Sequence, residues 1–341
     1  MAHELDMTLG RAAIAFRGDT PWHGLGETIQ PDDDLDTIRY KAGLEYAVER
    51  TEVCYATNAV NLDGHWETTI RRMPERVVLY RNDTNTPLSV VSDKYQVVQP
   101  ADVISFYKDL VADYGFQVEV VGGLKGGRKI WALANTNEAL NLRGGDKVKG
   151  YLLLATSYDG TMATQARFTS VRVVCNNTLT MARSEGKPNV TVPHSTVFNA
   201  AAVKQALNIS STWNNFTNNV TALSNRQVNA AETTQFLLNA YYNLASKDDL
   251  QTYLHDAKFN YEKRERNLKA FLERMQGHLF NSPGAHLESA RGTLWGVLNA
   301  VTRDIDFTEK RSGADGRLDT AWFGSGEILK NRAMELALDL V

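Results

Sequence analysis

The character of the chain changes once along its length, and that change constrains the fold more than any motif. Ahead of residues 186–193, apolar residues come in short runs cut by Gly, Asp and Asn. Beyond that Gly- and Pro-bearing stretch they recur three and four apart, as in Val203, Leu207, Trp213, Phe216, Val220 and Leu223. Short β-rich runs suit a strand, whereas three-and-four spacing gathers side chains on one stripe of a helix. The expected fold class is therefore α+β. Residues 1–190 should form an α+β domain, an antiparallel β meander with a β-β-β-α-like core. Residues 191–341 should form an all-helical domain, and a length of 341 residues accommodates both.

Within the first part, Asp32, Asp33 and Asp34 before Leu35 read as a helix start, and Gly43 as its stop. Val53-Cys54-Tyr55, the run from Trp66 to Ile70 and the run from Arg76 to Arg81 read as strands, with Asp63-Gly64 turning between the first two. Pro100 opens one helix through Asp113. Residues 117–121 and 128–134 flank a glycine-rich stretch that predicts a hairpin with a long, basic, open tip. Strands follow at 148–156 and 161–168, joined at Asp159-Gly160. Beyond Ser170 two readings stand: a helix capped by Ser170, or a strand continuing through Val174. In the second part, Asn229 with Glu232 forms a capping-box pattern.

Composition bounds the function classes. With 43% hydrophobic and 23% charged residues the chain resembles an ordinary globular protein. A net charge of −3 means that nucleic-acid affinity would need a local basic patch. Two cysteines, Cys54 and Cys175, give no disulfide framework, and no leader or membrane-length apolar run is read, so a cytoplasmic location in a bacterial cell is expected. The setting of Cys175 reads as a small buried residue.

Residues 122–129 fail as a nucleotide phosphate loop, because Arg128 and Lys129 stand where that motif needs Lys and a hydroxyl. What is left is a basic tip with Lys125, Arg128 and Lys129, either a phosphate-backbone contact or a solvated turn. On the helical reading of the next segment, Arg172, Asn176 and Arg183 project together, and Arg167 on the preceding strand joins them. Guanidinium groups bind phosphate in a bidentate way and Asn can bond a base edge, although a merely wet face has the same pattern. Lys263, Arg264, Arg266 and Lys269 alternate with Glu262 and Glu265 and read as a charge-laced helix. Arg71, Arg72, Arg76 and Arg81 surround Tyr80, the aromatic-basic interleaving that single-strand binding uses. No His pair has metal-ligand spacing, and Asp304 with Asp306 reads better as a helix end than as a metal site. No catalytic residue, metal or cofactor is expected.

Several segments resemble one family. Arg172-Val173-Val174-Cys175-Asn176-Asn177-Thr178-Leu179 is the core of that likeness. Trp22-His23-Gly24-Leu25-Gly26, the block at 89–110, the stretch at 292–302 and Trp322-Phe323-Gly324-Ser325-Gly326 extend it. These are similar to phage- and plasmid-borne proteins whose domain has no assigned function. The order of strands and helix is also similar to the core of single-strand annealing proteins of the RecT, Redβ and Erf types. Those likenesses imply a mobile-element protein that binds or anneals single-stranded DNA, as a ring- or filament-forming homo-oligomer. Lys125, Arg128, Lys129, Arg167, Arg172, Asn176 and Arg183 would make the contacts. The alternative is a protein that binds and modulates a host defence or replication protein, and a metal-dependent nuclease comes third.

Overall fold

The computed structural model describes residues 5–18, 24–172, 177–180, 189–256, 258–307 and 317–341. In chain order its elements are β1 (Ile14–Phe16), β2 (Glu27–Thr28), α1 (Leu35–Lys41), β3 (Val48–Val60), β4 (Trp66–Arg81), β5 (Pro87–Ser92), α2 (Pro100–Ser105), α3 (Lys108–Tyr114), β6 (Gln117–Leu124), β7 (Lys129–Leu142), β8 (Asp146–Ser157), β9 (Thr164–Arg172), β10 (Asn177–Thr180) and β11 (Asn189–Val192). Helices follow: α4 (Ala200–Leu207), α5 (Ile209–Asn225), α6 (Ala230–Tyr242), α7 (Lys247–His255), α8 (Tyr261–Asn281), α9 (Leu294–Phe307), α10 (Arg317–Phe323) and α11 (Ser325–Leu338). Strands thus dominate the first part and helices the second, and the fold is α+β. Among the described residues no helix is long and apolar enough to cross a membrane.

The chain divides into two compact units, each made of three segments of the sequence. One unit holds residues 1–134, 153–166 and 189–203, and the other holds 135–152, 167–188 and 204–341. In the first unit, α1 begins where the aspartates predict. The Asp34 side chain accepts from the Thr37 N–H at 2.7 Å, and Gly43 ends the turn at φ 66°. The expected helix from Pro100 to Asp113 is broken into α2 and α3 at Phe106 and Tyr107. Both rings are buried. The break lets the Tyr107 hydroxyl donate to the Ala132 carbonyl at 2.8 Å, while Phe106 meets the Tyr107 ring edge-on. Tyr95 and Tyr158 likewise donate to the Ser157 and Val98 carbonyls at 2.7 and 2.9 Å. Burial pushes all three phenols above their ordinary range, so each is a fixed neutral donor.

The three short runs expected between residues 53 and 81 are two long strands. β3 and β4 form a hairpin around the predicted Asp63-Gly64 turn, and β5 pairs with the base of β4. The run from Tyr95 to Val98 lies outside the strands and leads into α2.

The second unit is organised around α9. Ten of its fourteen residues are buried, from Leu294 to Ile305, on every side of the helix, so it is the central helix of the unit. Its backbone passes so close to Ala290 that a Cβ on Gly296 would fall 1.9 Å from the Ala290 carbonyl oxygen. The Asp146 carboxylate, buried at the start of β8, accepts from Trp295 Nε1 at 3.1 Å and Ser289 Oγ at 2.6 Å. The capping box of α6 forms as read: Asn229 Oδ1 accepts from the Glu232 N–H, and Glu232 Oε2 from the Asn229 N–H, both at 2.9 Å.

The segment after Ser170 is a strand hairpin rather than a helix. β9 continues to Arg172 and β10 returns antiparallel to it, with Arg172 opposite Asn177 and Thr169 opposite Thr180. Thr169, Val171, Thr178 and Thr180 are β-branched, and that stiffness at χ1 favours the pleat over the helix. The fourth element of the expected β-β-β-α core is therefore a strand.

Candidate functional site

The basic tip is short rather than long. β6 runs to Leu124, the turn spans 125–128, and Lys125, Gly126 and Gly127 adopt φ of 55°, 67° and 85°. Gly127 is packed inward: the Tyr46 hydroxyl donates to its carbonyl at 3.3 Å, and a Cβ there would lie 2.8 Å from the same hydroxyl. Lys129 is buried, Lys125 is half-buried, and Arg128 alone is exposed. Of the four glycines of the stretch, two belong to β6 and a third is held by the core.

Arg167 is a structural group. Its side chain is 3% exposed, donates to the Trp322 carbonyl at 2.9 Å, pairs with Glu327 and lies over the Phe323 ring. Burial lowers its pKa to about 10, so it remains cationic at neutral pH and needs that carboxylate. Arg172 ends β9, a strand rather than the expected helix. Asn176 and Arg183, like Cys175, lie outside the described residues. Of the seven predicted contact residues, Lys129 and Arg167 are therefore buried, and Arg128 has its charge in the open.

The arginines of the meander part company along β4. Arg81 is fully buried, paired with Asp6 and with Asp83 at 2.7 Å, and its guanidinium sits 3.8 Å from the Tyr46 ring centroid. Arg72 pairs with Glu52 at 2.9 Å, while Arg71 Nε donates to Thr57 Oγ1 at 3.3 Å. Register places Tyr55 opposite Arg71.

Sequence reading missed the form these residues take. Past a register break between Glu52 and Cys54, where residues 73–76 of β4 stand opposite Val53 alone, β3 and β4 continue as a two-stranded ribbon. Pro74 lacks a ladder donor and Glu75 takes φ 59°, which together mark the break. The ribbon pairs Cys54 with Arg72 through Val60 with Trp66, about 20 Å at a strand's rise per residue. Opposite residues share a face. One face carries Ala56/Ile70 and Val60/Trp66, and the other carries Tyr55/Arg71, Thr57/Thr69 and Ala59/Glu67. Apart from half-covered Thr57, every residue from Cys54 to Arg72 is exposed, including Trp66 at 77% and Ile70 at 66%. The signal was available: a strand with apolar residues on one face flanking a turn, with no second apolar segment of matching length to cover it.

Elsewhere, polar clusters are internally satisfied. Asp304 accepts from Arg274 Nε at 2.7 Å, Tyr241 at 2.8 Å and His278 at 3.3 Å. Burial raises its carboxyl, but the bonds from His278 and Arg274 outweigh that and hold it well below the ordinary carboxylate range. Asp306 pairs with Lys330 at 2.8 Å. Both aspartates are thus committed to cations, and among the described residues no group of three His, Cys, Asp or Glu side chains could hold a metal. Arg264 of the α8 basic run lies over the Tyr253 and Phe259 rings and near Asp256 at 3.6 Å, as a charge-laced helix end would have it. His194 stacks on Tyr95 and sets its two ring nitrogens 3.0 and 3.1 Å from the Gln96 and Met162 carbonyl oxygens, a structural clamp.

Comparison with known proteins gives one match. The family model described as Domain of unknown function (DUF932) covers residues 87–322, more than half of the chain, and the chain belongs to that family. No curated protein and no solved structure matches it. The ribbon precedes the matched residues, whereas the α9-centred core lies inside them.

Proposed function

We propose that this member of the family is a non-catalytic, self-associating binding protein, with the β3–β4 ribbon as the contact between copies. One observation carries the reading: a ribbon about 20 Å long, exposed on both faces, with Trp66, Ile70 and Val60 on one of them. A two-stranded ribbon is marginal alone in water, and a run of exposed apolar side chains of this kind marks an interaction surface. Its charge favours a protein contact. From residue 54 to 72 the charged groups are Asp63, Glu67, Arg71 and Arg72, two of each sign. A second copy meets no net repulsion there, and a polyanion gains little.

The cargo we propose is single-stranded nucleic acid, as in annealing proteins of mobile elements. Tyr55 opposite Arg71 offers a ring and a guanidinium on the less apolar face, and Arg128 is an exposed cation with no ion pair among the described residues. Stacking contributes about 1–3 kcal/mol per base, so few cations are needed if several rings engage. This set replaces the contacts assigned to Lys129 and Arg167.

Mass photometry with and without an oligonucleotide tests both parts. The wild-type chain should form oligomers, and the double variant Trp66→Ser, Ile70→Ser should be monomeric. Wild-type protein that is monomeric at micromolar concentration overturns self-association and turns the ribbon toward a different protein, such as a host factor. Oligonucleotide affinity should fall only shallowly with salt, since two cations engage it, and drop in the double variant Arg71→Ser, Arg128→Ser. Oligomers that ignore the oligonucleotide at low salt remove the cargo while leaving the assembly.

A further inference from the structure

The second unit contains a cavity of about 500 Å³, unrelated to the ribbon. It is lined by the start of α6, the C-terminal half of α8, the loop that follows α8, and Val297 of α9. That volume lies within the range of about 300–1,000 Å³ typical of small-molecule sites. The apolar wall is supplied by Leu237, Leu272, Leu279, Phe280 and Val297 among others. The polar lining is neutral or cationic: amides and hydroxyls of Asn229, Thr233 and Gln276, the His286 ring, and one full positive charge on Arg291. No Asp or Glu contributes to it.

Two carboxylates beside that lining are already engaged: Glu288 on the loop pairs with Arg143 at 3.5 Å, and Glu232 is on the first turn of α6. Glu232 accepts from the Asn229 N–H at 2.9 Å and pairs with Arg226 at 2.8 Å. Arg291 is exposed and makes no ion pair among the described residues. An apolar wall of this extent left to water forgoes the burial that stabilises the rest of the unit. An unpaired cation at such a hollow adds no compensating contact. Both features make sense together if something fills the space.

We infer that the cavity binds an amphipathic monoanion, an apolar chain or ring system ending in a carboxylate, with Arg291 taking the head group. Charge complementarity selects this class. A cationic amphiphile meets no acceptor carboxylate in the wall, and a fully polar ligand leaves the leucine and phenylalanine surface wet. A guanidinium takes a carboxylate by two parallel hydrogen bonds, so the head group is oriented as well as attracted. All of these residues lie inside the segment that the family model covers.

Isothermal titration of the full chain with dodecanoate, below its micellar concentration, tests the inference. One ligand should bind per chain. Arg291→Gln should weaken binding about tenfold, the loss of one charge-assisted contact. Thr233→Phe, which places a ring in the hollow, should abolish it, with thermal melting confirming that each variant folds. Dodecyltrimethylammonium should not bind. The inference is overturned by no binding at millimolar dodecanoate, by equal affinity in wild type and Arg291→Gln, or by equal affinity for the cationic amphiphile.

Discussion

The two ends of β4 belong to one strand and have opposite fates. At the base, Leu79 is wholly buried and Arg81 is sealed between Asp6, Asp83 and the Tyr46 ring. Beyond the break at residues 73–76, Trp66, Ile70 and Arg71 stand in solvent. Alternation along the strand is similar in both halves, so local pattern does not decide burial. What decides it is whether a third strand exists: β5 pairs only with Arg76 to Tyr80, and from Trp66 to Arg72 β3 is the sole strand paired with β4 among the described residues. The base is buried and the ribbon is exposed, and the proposed contact surface is the exposed part.

The largest expected effect tests the base. Arg81→Met keeps most of the side-chain volume but strands Asp6, which is 1% exposed. Breaking a buried pair by removing one partner costs about 3–5 kcal/mol, so urea denaturation should show a loss of that size or failure to fold. A variant as stable as wild type would mean that the base is not the anchor inferred here. Arg167→Leu asks the same of a residue first read as a DNA contact. The loss should be about 3 kcal/mol, since Glu327 would be left with its partner gone. A stable variant with impaired oligonucleotide binding would restore Arg167 to the ligand surface.

A smaller effect, readable through pH, comes from Asp304. Its folded-state carboxyl is held below the ordinary value, so its contribution is fully present above the unfolded value of about 3.9 and fades as pH falls through the lower folded value. Asp304→Asn should lower stability at neutral pH by about 2 kcal/mol and flatten the acid limb of the stability profile. An unchanged acid limb would show that the Arg274 and His278 bonds carry no net stabilisation.

The outcomes above follow the line between what was legible in the sequence and what was not. Turns and caps were legible because their chemistry is local: Asp63-Gly64, the Asp34 cap, and the Asn229 and Glu232 box all stand where they were read. The helical stripe of α5 was legible because period alone defines it. The segment after Ser170 was ambiguous, since both strand and helix could be drawn through it, and pairing with β9 settled it. Charge placement was not legible at all. Arg167 and Arg81 look like surface cations in the sequence, and only Glu327, 160 positions away, and Asp6, 75 away, explain their burial. The cavity, too, depends on three helical segments meeting.

The smallest expected effect is the sharpest test of the comparison. Trp66→Ser with Ile70→Ser removes two large apolar side chains from β4, the strand that carries Leu79. If burial rather than strand membership sets the cost, the double variant should unfold within about 0.5 kcal/mol of wild type when both are measured as monomers. Leu79→Ala, thirteen residues beyond Trp66, should cost about 2–5 kcal/mol. The ribbon variant should also aggregate less, because a long exposed edge with apolar side chains is a template for pairing with other chains. A ribbon variant that loses as much stability as Leu79→Ala would mean that Trp66 and Ile70 are covered within one chain. The contact surface would then have to be sought elsewhere, beginning with the exposed Phe280 at the cavity wall.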